Sequence, residues 1–370
     1  MKILLCFGTR PEAIKMAPLY HKLKKENFEV IVCVTAQHRE MLDQVLDFFE
    51  IKPDFDLDLM QANQSLNSLS ALILSKIDGV LRETNPDLVL VHGDTTTSSM
   101  VALAAFHLGI KVAHVEAGLR TYNKMAPFPE EINRQITSRL VDIHFTPTAE
   151  ATQNLLNEGI LKEDIIKTGN TVIDALLWTT NKIEKNDYYH PEIEMLKGKI
   201  TKNKKIALVT GHRRENFELG LENLCEALLE ISQREDVLII YPVHLNPNVK
   251  KTVYDLLSDK KNILLIPPVS YPVFVWLMKQ SFLIVTDSGG IQEEAPSLGK
   301  PVIVTREVSE RPEGITAGFS TLVGTDKGKI INTIQEILNN FKGFENYINP
   351  YGSGDASEKI IDFLLNKIRK

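Results

Sequence analysis

Short apolar runs recur along the first half of the chain at residues 3–7, 30–34, 88–91, 111–115 and 143–145. Each run has the length of a strand, and the gaps leave room for a helix, which is the signature of parallel βαβ units. Between the first two runs, residues 13–25 carry Ile14, Pro18, Leu19 and Leu23 with the spacing of an amphipathic helix entered through a glycine turn. The rhythm restarts at Lys205. Lys2-Ile3-Leu4-Leu5-Cys6-Phe7-Gly8-Thr9-Arg10 and Lys205-Ile206-Ala207-Leu208-Val209-Thr210-Gly211-His212-Arg213 share a strand-Gly-x-Arg start. Further runs at 237–241, 263–266, 282–286 and 301–304 follow the second start, so the pattern predicts two similar α/β domains.

Residues 182–204 are rich in Lys, Glu, Asn and Tyr and poor in apolar periodicity, so they read as a linker holding at most a short helix. The boundary between domains is expected near Thr171. At the end of the chain, Ile360, Ile361, Phe363, Leu364 and Ile368 recur at helical spacing after the turn-forming Asn349-Pro350-Tyr351-Gly352-Ser353-Gly354. A terminal helix packed on one domain is the expectation.

Composition narrows the functional classes. A chain of 370 residues, 43% hydrophobic, can bury two cores. Its formal charge of −6 argues against a surface that tracks nucleic-acid phosphates, so an anionic ligand must be held by a local cluster. Cys6, Cys33 and Cys225 are too few and too scattered for a disulfide framework, and a reducing compartment fits them. The chain enters a strand pattern without a leader-like segment and has no apolar stretch of membrane-spanning length, which predicts a cytoplasmic protein.

In open parallel sheets, ligands bind beyond the carboxyl ends of the strands, so the polar residues after each apolar run are the ones to inspect. They are densely charged: Gly8, Thr9, Arg10, Glu12 and Lys15; then His92, Gly93, Asp94 and Thr95 to Thr97; then Glu116, Gly118 and Arg120. The second half adds Gly211 to Glu215 and the run Asp287, Ser288, Gly289, Gly290, Gln292, Glu293 and Glu294. Any one of them has a structural reading, since Arg10 or Arg213 can simply pair with a neighbouring carboxylate; their concentration at strand ends favours a site. Ser288-Gly289-Gly290 ahead of a helical segment offers unpaired N–H groups to a phosphate, although an ordinary Ser/Gly cap has the same sequence. Glu294, one turn on, can accept from ribose hydroxyls of the same ligand, although an acidic residue in the first turns of a helix is common for dipole reasons alone.

Several cofactor classes are set aside because their residues are missing. No G-x-G-x-x-G follows the first run, no Walker loop or H-E-x-x-H helix occurs, and the nine histidines form no metal-ligand pair. Neither a nicotinamide cofactor nor a metal is expected.

Six segments occur in order: Gly8-Thr9-Arg10-Pro11-Glu12-Ala13-Ile14-Lys15, His92-Gly93-Asp94-Thr95-Thr96, His114-Val115-Glu116-Ala117-Gly118-Leu119-Arg120-Thr121, Pro129-Glu130-Glu131-Ile132-Asn133-Arg134, Thr210-Gly211-His212-Arg213-Arg214-Glu215-Asn216 and Asp287-Ser288-Gly289-Gly290-Ile291-Gln292-Glu293-Glu294. Together they resemble the bacterial non-hydrolysing UDP-N-acetylglucosamine 2-epimerases from end to end, and the Thr9-Arg10-Pro11-Glu12 turn points to the non-hydrolysing branch. The resemblance implies the glycosyltransferase-B architecture, two Rossmann-like domains with a ligand cleft, and a homodimer. Its domains would be residues 1–170 with the terminal helix 356–370 packed back on them, and residues 171–355 as the UDP-binding domain.

The implied reaction interconverts UDP-N-acetylglucosamine and UDP-N-acetylmannosamine, supplying cell-surface polysaccharide synthesis, by elimination of UDP to a 2-acetamidoglucal and re-addition. That chemistry needs carboxylates near the sugar and cations near the diphosphate. By resemblance, Asp94, Glu116 and Glu130 form the acid/base set, with His212 able to protonate or polarise the phosphate. Arg10, Lys15, His212, Ser288, Gly289 and Gly290 serve the UDP leaving group, while Phe274, Glu294 and Arg311 hold uridine and phosphate. Gln37, His38 and Glu131 match the region where many relatives bind UDP-N-acetylglucosamine as an activator. Alternatives are a 2-epimerase acting on a UDP-2-acetamido-2,6-dideoxyhexose, a glycosyltransferase of the same architecture, and a nucleotide-sugar sensor.

Overall fold

The structure is a computed structural model and describes residues 1–35, 39–60, 64–200, 203–211, 219–309, 311–345 and 348–368. The chain divides into two compact units, Met1–Leu177 with Tyr351–Lys370, and Trp178–Pro350.

In the first unit the described strands are β1 (Lys2–Phe7), β2 (Glu29–Val34), β3 (Phe55–Asp56), β4 (Leu88–His92), β5 (Lys111–Val115), β6 (Ile143–Thr146) and β7 (Ile165–Lys167). They form one parallel sheet in the order β3-β2-β1-β4-β5-β6-β7. In the second unit, β8 (Lys205–Thr210), β9 (Val237–Pro242), β10 (Ile263–Ile266), β11 (Leu283–Thr286), β12 (Val302–Val304) and β13 (Ser320–Leu322) form a parallel sheet in the order β10-β9-β8-β11-β12-β13. Both orders are doubly wound, as the restarted rhythm predicts. The three short edge strands, β3, β7 and β13, are the ones that produce no apolar run.

Each sheet is sandwiched because its strands are apolar on both faces. Leu4, Cys6, Val89, Val91 and Val112 pack against Ile73, Ile77 and Leu81 of helix Leu66–Thr84 and Val101 and Ala105 of helix Thr96–His107. In the second unit, Ala207, Val209, Ile239, Val285 and Ile303 meet Leu224 and Leu228 of helix Leu219–Ile231 and Ile330 and Ile334 of helix Lys327–Asn340. Burying each large apolar side chain contributes roughly 1.5–3 kcal/mol, enough to hold the strand ends in fixed register.

The helix Ala356–Ile368 packs on helix Arg10–Lys25, and Phe363 meets Phe145 edge-on at 5.8 Å. Asp174 accepts the N–H groups of Ala356 and Ser357 at 3.2 and 2.8 Å, a carboxylate at a helix N-terminus. Within the segment read as linker, Pro191–Lys199 is helical and buries Ile193 and Leu196.

Candidate active site

The strand order reverses between β1 and β4, and again between β8 and β11; beyond the carboxyl ends of such strand pairs lies the usual ligand position of doubly wound sheets. In the first unit the loop after β1 is locked by Glu12. Helix Arg10–Lys25 begins with a capping box in which Thr9 caps and Glu12 reaches back. Glu12 Oε2 accepts from Gly8 N at 3.0 Å, Thr9 N at 2.8 Å and Thr9 Oγ1 at 2.8 Å, while Oε1 accepts from Thr95 Oγ1 at 2.7 Å. The β1 and β4 loops are thereby tied together. Burial raises the Glu12 carboxyl, and these donors oppose that rise. The helix starts three residues ahead of the periodic apolar pattern, at Arg10, whose half-buried side chain sits in the first turn.

Glu116 follows β5 directly and adopts φ of +65°, a left-handed conformation unusual for a side-chain-bearing residue. Its side chain is 7% exposed. Glu116 Oε2 is ion-paired with Lys15 Nζ and accepts from Asn170 Nδ2 at 2.8 Å. His92 Nε2 lies 3.8 Å from the same oxygen. A Cβ placed on Gly93 would stand 3.9 Å from Glu116 Oε1, which puts the carboxylate against the turn that carries Asp94. Lys15, assigned to the diphosphate by resemblance, is thus engaged with a carboxylate in this structure.

His92 is 3% exposed, and among the described residues neither ring nitrogen has a hydrogen-bond partner. Burial lowers its pKa to about 4 against the upward pull of Glu116, so the imidazole is neutral near pH 7.

Asp94 is held by a forked contact. Arg134 Nε and Nη2 lie 2.9 and 2.6 Å from Asp94 Oδ2, and Asn133 Nδ2 donates to the Asp94 carbonyl at 2.9 Å. Both partners come from helix Glu130–Leu140. Glu130, half-buried, sits in the first turn of that helix. Glu131 is fully buried and accepts from Thr121 N and Tyr122 N at 3.0 Å, from Gln135 Nε2 at 2.9 Å and from Arg134 Nη1 at 3.2 Å. Burial works to raise the Glu131 carboxyl, but these donors prevail and hold it below the usual range. Its place is therefore inside the scaffold that shapes the 121–122 turn.

Arg120, conspicuous in sequence, is structural. Its Nε and Nη2 grip Glu158 at 2.7 and 3.0 Å, its Nη2 also reaches Ser138 Oγ at 2.8 Å, and its side chain is fully buried. His114 hydrogen-bonds the Gly93 carbonyl at 2.7 Å through Nε2. The loop from Glu116 to Arg120 packs closely on the helix Ala149–Asn157: at Gly118, with φ of +87°, a Cβ would meet Ala151 O at 2.3 Å.

In the second unit, Gly289 and Gly290 open helix Gly289–Ser297, and the Ser288 side chain makes no cap hydrogen bond. The Arg311 guanidinium lies over this helix start, 3.6 Å from a Cβ placed on Gly289, and its Nε donates to Glu293 Oε1 at 2.5 Å. Glu294 Oε1 accepts from Tyr271 OH at 2.8 Å. Phe274 is half-buried on helix Tyr271–Gln280. His212, Gln37 and His38 lie outside the described residues, as do Arg213, Arg214 and Glu215.

Chemically, the first unit offers a carboxylate paired to lysine, a second paired to arginine and a neutral histidine, which suits proton transfer. The second unit offers a helix N-terminus flanked by a guanidinium, which suits a phosphate. Among the described residues no cluster of His, Cys, Asp or Glu is arranged to hold a metal ion, and no helix is long and apolar enough to cross a membrane. Asn170 and His92 belong to the Glu116 cluster, and sequence reasoning gave neither a role.

The family model described as UDP-N-acetylglucosamine 2-epimerase matches residues 21–365. The chain is similar to the UDP-N-acetylglucosamine 2-epimerase of Escherichia coli K12, with 52% identity over 99% of both chains. It is 54% identical to that of Campylobacter jejuni, over 98% of this chain and 97% of that one. The crystal structure of UDP-GlcNAc 2-epimerase from Neisseria meningitidis bound to UDP-GlcNAc superposes with a TM-score of 0.92 at 49% identity, covering 99% of this chain and 100% of that one.

Proposed function

Because the chain belongs to the UDP-N-acetylglucosamine 2-epimerase family, we propose that it inverts C2 of UDP-N-acetylglucosamine to give UDP-N-acetylmannosamine, reversibly. It shares the two-sheet, glycosyltransferase-B class of α/β fold with those relatives. The observation that carries the chemical reading is the pair of carboxylates at neighbouring strand ends, Glu116 with Lys15 and Asp94 with Arg134.

The C2 proton of the substrate has no adjacent carbonyl to acidify it, so direct removal is too slow. Breaking the C1–O bond sends its electron pair to UDP and leaves positive charge at C1. A carboxylate then takes the C2 proton, and the C2–H electrons close the C1=C2 bond of 2-acetamidoglucal. Re-addition of UDP reforms the C1–O bond as the glucal takes a proton at C2 from the other face, which gives the epimer. Two acid/base groups are required, and Asp94, Glu116 and Glu130 are the carboxylates assigned to them, with His212 assisting the phosphate. Ser288, Gly289, Gly290 and Arg311, with Arg10, take the diphosphate charge; Lys15 shares its charge between Glu116 and the departing phosphate. Glu294 serves the ribose and Phe274 the uracil.

The same reading gives Gln37, His38 and Glu131 to a second UDP-N-acetylglucosamine site that activates the enzyme, with the buried Glu131 serving it through the Thr121–Tyr122 turn that it holds and not by touching the ligand. Loss of the lag in initial-rate curves after Gln37→Ala supports that site, and an unchanged rate profile rejects it. A homodimer is supported by Ile132 and Ile136, which are 37% and 39% exposed one turn apart on helix Glu130–Leu140. A cytoplasmic location is supported by three free, buried cysteines.

Incubation with UDP-N-acetylglucosamine, followed by proton NMR of the sugar, tests the assignment. The manno epimer is expected without any acceptor. Preferential turnover of a UDP-2-acetamido-2,6-dideoxyhexose would move the substrate to that sugar, and transfer to an acceptor without C2 inversion would replace the reading with a glycosyltransferase.

A further inference from the structure

Asn170 is the one uncharged donor on the Glu116 carboxylate among the hydrogen bonds described above, and its geometry is unusually constrained. It follows β7, the edge strand, and is 1% exposed. Its Oδ1 accepts from Val172 N at 3.0 Å at the start of helix Thr171–Ile183. That bond fixes which end of the amide faces which neighbour, so Nδ2 is the group presented to Glu116 Oε2 at 2.8 Å. The backbone is equally fixed, since Asn170 N donates to Tyr351 O at 2.7 Å. Gly169, with φ of +93°, is packed so closely that a Cβ there would lie 3.3 Å from Gly352 Cα and Tyr351 O.

We propose that Asn170 is a positioning residue for the reaction: with Lys15 it fixes the orientation of the Glu116 carboxylate and holds it ionised, ready to take the C2 proton. This rests on Glu116 working at the reacting carbon. Among the described residues, the groups that face Glu116 include Lys15 from helix Arg10–Lys25, His92 from β4 and Asn170; Asp94, in the turn after β4, acts on the same His92 ring. His92 supplies bulk and desolvation but no charge near pH 7, and desolvation disfavours a carboxylate's charge. Lys15 and Asn170 oppose it by donating to one oxygen, which leaves Oε1 as the oxygen on the Gly93 side. A helix start needs only an acceptor, which Asp or Ser supplies equally well. Asparagine carries, beside that acceptor, a separate N–H donor, and here it is aimed at Glu116.

Asn170→Asp separates the two roles, because it keeps the acceptor for Val172 N and the shape, and replaces the donor with a second carboxylate. Its melting temperature is expected to stay within a few degrees of the parent. Its kcat is expected to fall roughly 10- to 100-fold, the weight of one hydrogen bond to a charged group, with KM little changed. The acidic limb of its pH–rate profile is expected to move upward, because two adjacent carboxylates share a proton. Asn170→Ser, whose shorter hydroxyl keeps an acceptor for Val172 N but withdraws the donor from Glu116 without adding charge, moves the limb the same way by less and serves if the aspartate variant fails to fold. A parental kcat and pH profile in a folded variant overturns the inference, as does an activity loss that follows melting temperature with the profile unmoved. Glu116→Gln is the control. If it is inactive while Asn170→Asp behaves as the parent, the positioning role alone fails; if it keeps the parental rate, the assignment of Glu116 fails and takes this inference with it.

Discussion

Replacing Arg134 with methionine keeps the apolar stem and removes the guanidinium that joins two carboxylates. The loss is three contacts: Nε and Nη2 to Asp94 Oδ2 at 2.9 and 2.6 Å, and Nη1 to Glu131 Oε2 at 3.2 Å. The Arg134 side chain is 10% exposed, Asp94 is 26% exposed and Glu131 is fully buried. Removing one partner of a buried ion pair costs about 3–5 kcal/mol. Asp94 retains some water, and Glu131 keeps the N–H groups of Thr121 and Tyr122 and the Gln135 amide, so the lower end, about 3 kcal/mol, is expected. Urea unfolding followed by circular dichroism reads the shift. Arg139→Met is the comparison, because exposed Arg139 donates only to the Glu158 carbonyl at 2.9 Å among the hydrogen bonds described, and its loss should cost less than about 1 kcal/mol. A double-mutant cycle with Asp94→Asn should return a coupling of about 1–3 kcal/mol. The reasoning is refuted if Arg134→Met is no more destabilising than Arg139→Met, or if the cycle shows no coupling.

Gly118→Ala should destabilise by about 1–3 kcal/mol and lower kcat, since at φ of +87° its Cβ would press on Ala151 O at 2.3 Å and displace the loop that begins at Glu116; an unchanged melting temperature would contradict this. Burial lowers the pKa values of His92, His114 and His144 to about 4, 3 and 4. The unfolded rings therefore protonate first, and the stability these histidines contribute is complete above about pH 6.5 and is lost as pH falls toward 4, by up to about 2 kcal/mol each at pH 5. Glu12 and Asp174, both raised by burial, offset part of this, so the denaturation midpoint should fall between pH 7 and pH 5, and fall less in His144→Gln; a midpoint that does not move would remove the argument. Arg311→Ala should weaken UDP binding roughly 10- to 100-fold by calorimetry, the weight of a charge-assisted contact, and undiminished affinity would place the phosphate elsewhere.

The central strands were legible because burial on both faces writes a continuous apolar run, and the repeated strand-Gly-x-Arg start revealed the second sheet. The edge strands β3, β7 and β13 span only two or three residues, and Asp56, Lys167, Ser320 and Thr321 interrupt them, so they write no such run. The consequence falls at the site: Asn170 stands beyond β7, so no apolar run marks its position as a strand end. The first helix begins at Arg10, three residues ahead of the apolar period at Ala13, because Thr9 and Glu12 carry the capping-box spacing, a local signal that periodicity ignores. Charge at strand ends draws attention to Asp94, Glu116 and Lys15, which lie in the same unit, but does not distinguish them from Arg120, which spends its guanidinium on Glu158. Pairing across distant elements, such as Lys15 with Glu116 or Arg134 with Asp94, is fixed by tertiary packing and has no sequence periodicity.

Turnover of UDP-N-acetylglucosamine in heavy water, with no acceptor present and the C2 position read by NMR, bears most directly on the chemistry. Deuterium should appear at C2 of the manno product and, as equilibrium is approached, at C2 of the recovered substrate, with both signals lost in Glu116→Gln or Asp94→Asn. Product that retains its original C2 hydrogen would contradict proton removal by these carboxylates.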